Sequence, residues 1–296
     1  DFLLKKQLAA HGLKASNVKI ADEALQYIIH RYTRESGVRG LERQVATIFR
    51  KVARKVAEGE KDKVLITVKN ITKYLGPEKV SSTLAERKDE VGIATGLYYS
   101  PSGGGILSIE VALMPGKGQL ILTGQLGDVM KESCQAAMTY VRARAQKFGL
   151  PDDFYKTIDV HVHVPEGAVP KDGPSAGDAI TTALVSALTK SPTNRLVAMT
   201  GEVTIRGKVL EIGGIKEKVI GAHRAGIRTI ILPKENRKDM EEIPKEVAKD
   251  IRFVFVSHMD EVLKVALTKP LAGFKEIKGE KEKKPNLTVP TPTLAD

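Results

Sequence analysis

The chain has 296 residues, 42% of them hydrophobic, with 5% aromatics and no tryptophan. That is enough to bury a sizeable core, built mainly from Val, Ile, Leu and Ala. The net charge of +11 is unevenly spread: residues 1–80 carry 17 Lys+Arg against 9 Asp+Glu, whereas residues 81–271 carry 25 against 23. The single cysteine, Cys134, excludes an internal disulfide and suits a reducing compartment. No run approaches the roughly 18 apolar residues of a membrane span. The opening DFLLKKQLAAHG lacks the apolar stretch and cleavage site of a secretory signal. A chain starting at Asp1 reads as a piece of something longer.

Residues 1–60 are predicted helical. In DEALQYIIHRYT the apolar positions Leu25, Ile28, Ile29 and Tyr32 share a face, and Asp22 is placed to cap the start. VRGLERQVATIFRKVARKVAEG continues with a stripe of Leu41, Val45, Ile48, Val52 and Val56. VLITV (64–68) reads as a short strand, and the polar, turn-rich stretch 76–93 as a boundary. The expected division is therefore a helical unit over 1–80, a linker over 81–92, a second unit over 93–271 and a charged, Pro- and Thr-rich disordered tail over 272–296.

From residue 92 the pattern becomes alternating strands and helices. ILSIEVAL alternates with Leu107, Ile109, Val111 and Leu113 on one side, QLILTG is a second strand, and a long helix over DVMKESCQAAMTYVRARAQKFG is ended by Gly149. DVHVHV (159–164) alternates, 175–188 is helical, and LVAMT (196–200) is a strand. EVTIRGKVLEI is a hairpin turning at Gly207-Lys208, Ile215–Ala225 a helix, TIILP and RFVFV buried strands, and DEVLKVAL a final helix. The fold class is a small all-α unit followed by an α/β (α+β) body.

Two short stretches bear chemistry. Gly173-Pro174-Ser175-Ala176-Gly177 fits the G-x-S-x-G pattern of a nucleophile elbow. The alternative is structural: Ser175 opens a helix, and Ser-x-x-Asp with Asp178 is a capping-box pattern. An elbow needs a strand directly before the turn, yet PEGAVPKDG reads as a loop. The downstream histidines His223 and His258 lack an evident acidic partner. His161 and His163 share a strand face without a clear third metal ligand, so no metal site is expected. In GGIKEKVIGAHRAG (213–226), Lys216 falls in the first helical turn, where a cation opposes the dipole. It shares a face with Val219 and Ile220, so its amine is expected to turn inward. A desolvated lysine can act as general base near neutral pH. A snorkelling surface lysine is the plain alternative, and Lys218 is expected to point elsewhere on the helix.

PKDGPSAG (170–177), HVHVPEGA (161–168), MTGEVTIRGKVLEIGGIKEK (199–218) and AHRAGI (222–227) resemble the proteolytic domain of the ATP-dependent Lon proteases in their bacterial and organellar form. YTRESGVRGLER (32–43) is similar to the helical lid of the AAA+ module that precedes that domain. The resemblance covers roughly residues 1–270. It implies Ser175 as nucleophile and Lys216 as general base of a Ser-Lys dyad, Thr200 as the threonine that hydrogen-bonds the lysine, and Arg39 as the sensor-2 arginine that reaches ATP phosphates. It further implies cleavage of unfolded or damaged proteins by a hexameric ring in the cytoplasm, or the mitochondrial matrix of a eukaryote. No cofactor is expected for peptide hydrolysis, and ATP with Mg²⁺ would serve the full-length enzyme. No P-loop string is present: GEVTIRGKV (201–209) lacks the spacing and the Ser or Thr. Gly105 stands where the family often has an acidic residue, and Asp178 is more polar than the pattern. Two rivals stand beside this reading. One is a catalytically dead domain of this kind, serving as a ring-forming scaffold or as a nucleic-acid platform through its basic lid. The other is an α/β-hydrolase esterase using His223 or His258.

Overall fold

The structure, a computed structural model, describes residues 2–271 apart from 34, 36, 61, 80–87, 102 and 167–169. Part of the expected linker and the whole expected tail lie outside the described residues.

The first unit comprises α1 (Phe2–Ala10), β1 (Val18–Ile20), α2 (Asp22–Tyr32), α3 (Arg39–Ala57), β2 (Val64–Ile66) and α4 (Ile71–Leu75). β1 and β2 pair in parallel, Val18 opposite Val64. The core draws Ala24 and Ile28 from α2, Val45, Ile48 and Val52 from α3, and Ile66 and Ile71 beyond, all with 0% exposure. The α3 stripe follows the 3.6-residue period. Three local expectations differ: residues 18–20, inside the stretch expected to be helical, form β1, and the start of α2 and Ile29 depart as well. Asp22 is the first helical residue, with Ala21 in the cap position and no side-chain cap bond; its charge suits the positive helix end instead. Ile29 is exposed. The start of α3 is capped from upstream, where Glu35 accepts the Gly40 and Leu41 N–H groups at 2.7 and 2.9 Å. That double hydrogen bond holds the Glu35 carboxyl below its usual range.

The second unit is a seven-stranded mixed sheet with helices on both faces. In chain order it contains β3 (Ile93–Ser100), β4 (Gly103–Pro115), β5 (Leu120–Thr123), α5 (Asp128–Arg142), β6 (Ile158–His163) and α6 (Gly177–Thr189). β7 (Val197–Met199), the hairpin β8 (Glu202–Val203) and β9 (Val209–Leu210), and α7 (Ile215–Arg224) follow. β10 (Thr229–Pro233), α8 (Lys245–Ala248), β11 (Arg252–Val256) and α9 (Met259–Ala266) complete it. The sheet order is β11-β10-β7-β3-β4-β6-β5. β11, β10, β7 and β3 run parallel, β4 runs antiparallel to both neighbours, and β5 is parallel to β6. One face carries α5, α6 and α9 over residues such as Ala94 and Ile109; the other carries α7 over Leu97 and Ile106. That split follows the side-chain alternation of β3 and β4. α6 is buried from Gly177 to Ala187, as a helix apolar almost all round must be. α5 stops at Arg142, and a separate 3₁₀ turn, Gln146–Phe148, carries the chain to Gly149, whose φ of +72° ends it.

Candidate active site

Ser175 is placed by a turn and a helix. Gly173 takes φ +121°, a conformation that side chains disfavour, and Pro174 opens a 3₁₀ turn, Pro174–Ala176, that runs into α6. The approach is anchored by Asp172, whose Oδ1 accepts the Met130 N–H in the first turn of α5 (3.0 Å) and the Gly173 N–H (2.9 Å). Ser175 is half-buried and borders a cleft of about 470 Å³ whose walls include Leu97, Tyr98, Leu107, Met130 and Lys171. The capping box does not form. The N-cap of α6 is Ala176 with no side-chain cap bond, and Asp178 lies wholly inside the protein. A serine released from capping leaves its hydroxyl to the cleft.

The lysine expectation is reversed. Lys216 is exposed, while Lys218 is 1% exposed. The inner face of α7 is Ile215, Lys218, Val219 and Ala222, the i, i+3, i+4, i+7 pattern of a helix lying on a sheet. Lys216 sits about a quarter-turn off that face. Lys218 Nζ donates to Thr200 Oγ1 at 3.1 Å, and Thr200 Oγ1 donates to the Ser175 carbonyl at 3.0 Å. Gly201 N–H donates to the same carbonyl at 2.9 Å. Thr200 is itself fully buried at the end of β7. Ser175, Thr200 and Lys218 therefore form one connected group, joined through Thr200. No direct Ser175 Oγ–Lys218 Nζ hydrogen bond is made, a looseness common before substrate binds. Burial pushes the Lys218 amine down to about 8, against a partial upward pull from the Asp178 carboxyl. Burial likewise pushes Asp178 well above the usual carboxylate range.

α7 reaches this position by a backbone crossing. A Cβ on Gly104 of β4 would lie 1.9 Å from the Glu217 carbonyl oxygen, and one on Gly221 would lie 2.3 Å from the Gly104 carbonyl carbon. Two glycines let helix and strand meet backbone to backbone. At Gly105 a Cβ would meet the Tyr98 hydroxyl at 2.7 Å, so the ring of Tyr98 occupies the space that a side chain there would need.

The histidines serve elsewhere. Contrary to expectation, His223 and His258 both have an acidic partner: Asp250 lies 2.9 Å from His223, and Asp260 lies 3.6 Å from His258. His258 sits at the N-cap of α9, accepting the Asp260 N–H at 3.2 Å. Neither hydrogen-bonds Ser175. His161 and His163 both meet Thr123 Oγ1, at 2.8 and 2.6 Å. Among the described residues no cluster of His, Cys, Asp and Glu could hold a metal. Residues 201–209 are the β8–β9 hairpin with its turn at Gly207, φ +87°. Arg39 is exposed at the first position of α3.

Comparison with known proteins gives the class. Residues 65–269 match the family model of the Lon protease (S16) C-terminal proteolytic domain, and residues 9–65 match that of the Lon protease AAA+ ATPase lid domain. The class so defined is a serine peptidase domain that follows the lid of an AAA+ ATPase. The chain belongs to the Lon protease family. It is 54% identical over 271 residues to the Lon protease of Heliobacterium modesticaldum, covering 92% of this chain and 33% of that protein. It is 55% identical over 267 residues to Lon protease 1 of Bacillus subtilis (90% and 34%), and 56% over 274 residues to the Lon protease of Chloroflexus aggregans (90% and 33%). The chain thus spans about a third of the length of the curated relatives it matches.

Proposed function

We propose that this chain is the peptide-cleaving part of an ATP-dependent Lon protease, with Ser175 as nucleophile and Lys218, in place of Lys216, as general base. The observation that carries the reading is the buried Lys218 amine, held by Thr200 beside the serine turn and lowered to about 8. Lys216 projects into solvent and has no comparable surroundings.

The chemistry runs as acyl transfer. The neutral Lys218 amine takes the Ser175 proton as Oγ bonds to the scissile carbonyl carbon. The positive end of α6, into which the 3₁₀ turn runs, favours the developing oxyanion. When the C–N bond breaks, the Lys218 ammonium returns the proton to the leaving amine. Water, deprotonated by the same amine, then releases the acyl group. The steps require no metal or cofactor. The largely apolar cleft walls suit an apolar substrate side chain next to the scissile bond.

The wider assignments rest on family membership. They are unfolded or damaged protein substrates, a hexameric ring, ATP with Mg²⁺ in the full-length enzyme, Arg39 as its sensor-2 contact, and a cytoplasmic location, or the mitochondrial matrix in a eukaryote. The positive excess of residues 1–80 supports weak, salt-sensitive DNA binding as a secondary property. Among the described residues no helix is long and apolar enough to cross a membrane.

Covalent labelling by a peptide boronate or β-lactone is the test. Ser175 is expected to label in the unaltered chain and in Lys216→Ala, and to label far more slowly in Lys218→Ala. Undiminished labelling of Lys218→Ala, with loss in His223→Ala or His258→Ala, would return the histidine-based reading.

A further inference from the structure

Asp178 is the charged residue in the serine helix that the dyad does not use. It lies three residues after Ser175, with 0% exposure. Its Oδ1 accepts the Ala179 N–H at 2.7 Å, and its Oδ2 is buried without a hydrogen-bond partner. The N–H groups of Asp178 and Gly201 lie close enough to favour the charged form without making a hydrogen bond to Oδ2. The carboxylate faces the strand end that carries Thr200: a Cβ on Gly201 would lie 3.2 Å from Oδ2, and the Asp178 N–H donates to the Gly201 carbonyl at 3.2 Å. Lys218 reaches the same place from the other side through its bond to Thr200. An orphan buried carboxyl oxygen and a buried amine that bonds Thr200 therefore lie about the same strand end. No ion pair within 4.0 Å joins them.

We propose that Asp178 is a positioning residue for Lys218, the charged form of its carboxyl acting through space to stabilise the ammonium that forms when the amine takes the Ser175 proton. The inference rests on the Ser175–Lys218 reading. In the step concerned, the Ser175 O–H bond breaks, the Oγ–C bond to the substrate forms, and the proton becomes the third on Lys218 Nζ. Asp178 does not receive the transferred proton. A buried ammonium without a nearby anion is costly, and Asp178 supplies that anion in a helix otherwise filled with small and apolar side chains.

The surrounding groups leave this pair dominant. Of the charged residues packed around α6 and α7, Asp178 acts on Lys218 and Lys218 on Asp178. The uncharged titratable neighbours are Tyr99 of β3, whose ring centre lies 5.7 Å from Lys218 Nζ, and Cys134 of α5, a buried thiol pushed up to about 12.

The test is the pH–rate profile of peptide cleavage by the 296-residue chain and its Asp178→Asn variant. Removing the anion should let Lys218 lose its proton more readily. The rising limb should then move to lower pH by about one unit, and kcat on the plateau should fall several-fold with KM little changed. A rising limb that stays in place, or moves to higher pH, overturns the proposal. If Asn is not accommodated, Asp178→Val should give the same acid shift. A readout independent of activity is the ¹³Cε resonance of Lys218 in the unaltered, lysine-labelled chain. Its midpoint should fall by about one pH unit in Asp178→Asn, and an unmoved midpoint overturns the proposal. Activity that survives Ser175→Ala would instead sink the dyad, a result distinct from either outcome here.

Discussion

At the scale of single residues, the two lysines of the Lys-Glu-Lys triplet provide the sharpest contrast. Ser175 and Lys218 act as a unit in the proposed chemistry, so Ser175→Ala, Lys218→Ala and the double variant should lose nearly the same activity, about 10³-fold or more in kcat. Lys216→Ala, altering an exposed side chain, should stay within about twofold of the unaltered chain. Cleavage assays on an unfolded protein decide between them, and near-native turnover by Lys218→Ala would reject the pair. The pH dependence follows from the lowered amine. Below about 8 the Lys218 side chain is an ammonium and cannot accept a proton, so the rate should climb as pH rises through that value. A histidine base would level off near its ordinary value of about 6.5. A rate already flat at pH 6 would therefore count against lysine. Which lysine turns inward was readable from the sequence, had the stripe been anchored on Ile215 rather than on Val219 and Ile220. Residues 215, 218, 219 and 222 fall on one face, and Lys218 lies within it. A charged residue at a core position of an amphipathic pattern was the signal. Asp178 gave the same signal: a carboxylate on a helix whose other positions are small or apolar.

At the scale of elements, the site depends on how α7 is seated. Glycines 104 and 221 remove the side chains that would hold helix and strand apart, and the Glu217 carbonyl lies where a Gly104 Cβ would go. Gly104→Ala should therefore push α7 off β4 and withdraw Lys218 from Thr200. The expected cost is about 1–3 kcal/mol of stability, a fall of several degrees in Tm, and a larger proportional loss of cleavage than of folding. Gly213→Ala, at a glycine whose Cβ would meet nothing within 4 Å, serves as the control. Equal Tm and activity for the two variants would show that the crossing is not close. α2 and α3 of the first unit and most strands of the second were legible because their hydrophobic periods are clean over a full element. Less legible were features set by distant contacts: the cap of α3 by Glu35, the early end of α5, and the Asp250 partner of His223, which lies 27 residues away. The glycine crossing was invisible as well, since nothing in Gly103-Gly104-Gly105 names the helix that faces it.

At the scale of the whole molecule, the question is what this chain does with nucleotide. Arg39 stands exposed at the start of α3 and can offer one charge to a phosphate. The 296 residues contain no G-x-x-x-x-G-K-[ST] string to cradle the β- and γ-phosphates, and the chain spans about a third of its relatives' length. In P-loop ATPases the cradle and the metal site come from that loop and its neighbours, with the arginine adding one contact. The 296-residue chain by itself is therefore expected to show background ATP hydrolysis only, and its cleavage should not respond to ATP and Mg²⁺. Without a motor, a polypeptide must reach Ser175 by its own fluctuations, and the rate then follows the fraction of substrate that is locally unfolded. Casein or a short peptide should be cut slowly. A stably folded domain carrying the same cleavage segment should survive, and should become a substrate when destabilised, in proportion to its unfolded fraction. The decisive comparison is folded against loose substrate, each with and without ATP and Mg²⁺. ATP-stimulated degradation of the folded domain by this chain alone would mean that residues 1–296 hold a complete nucleotide site.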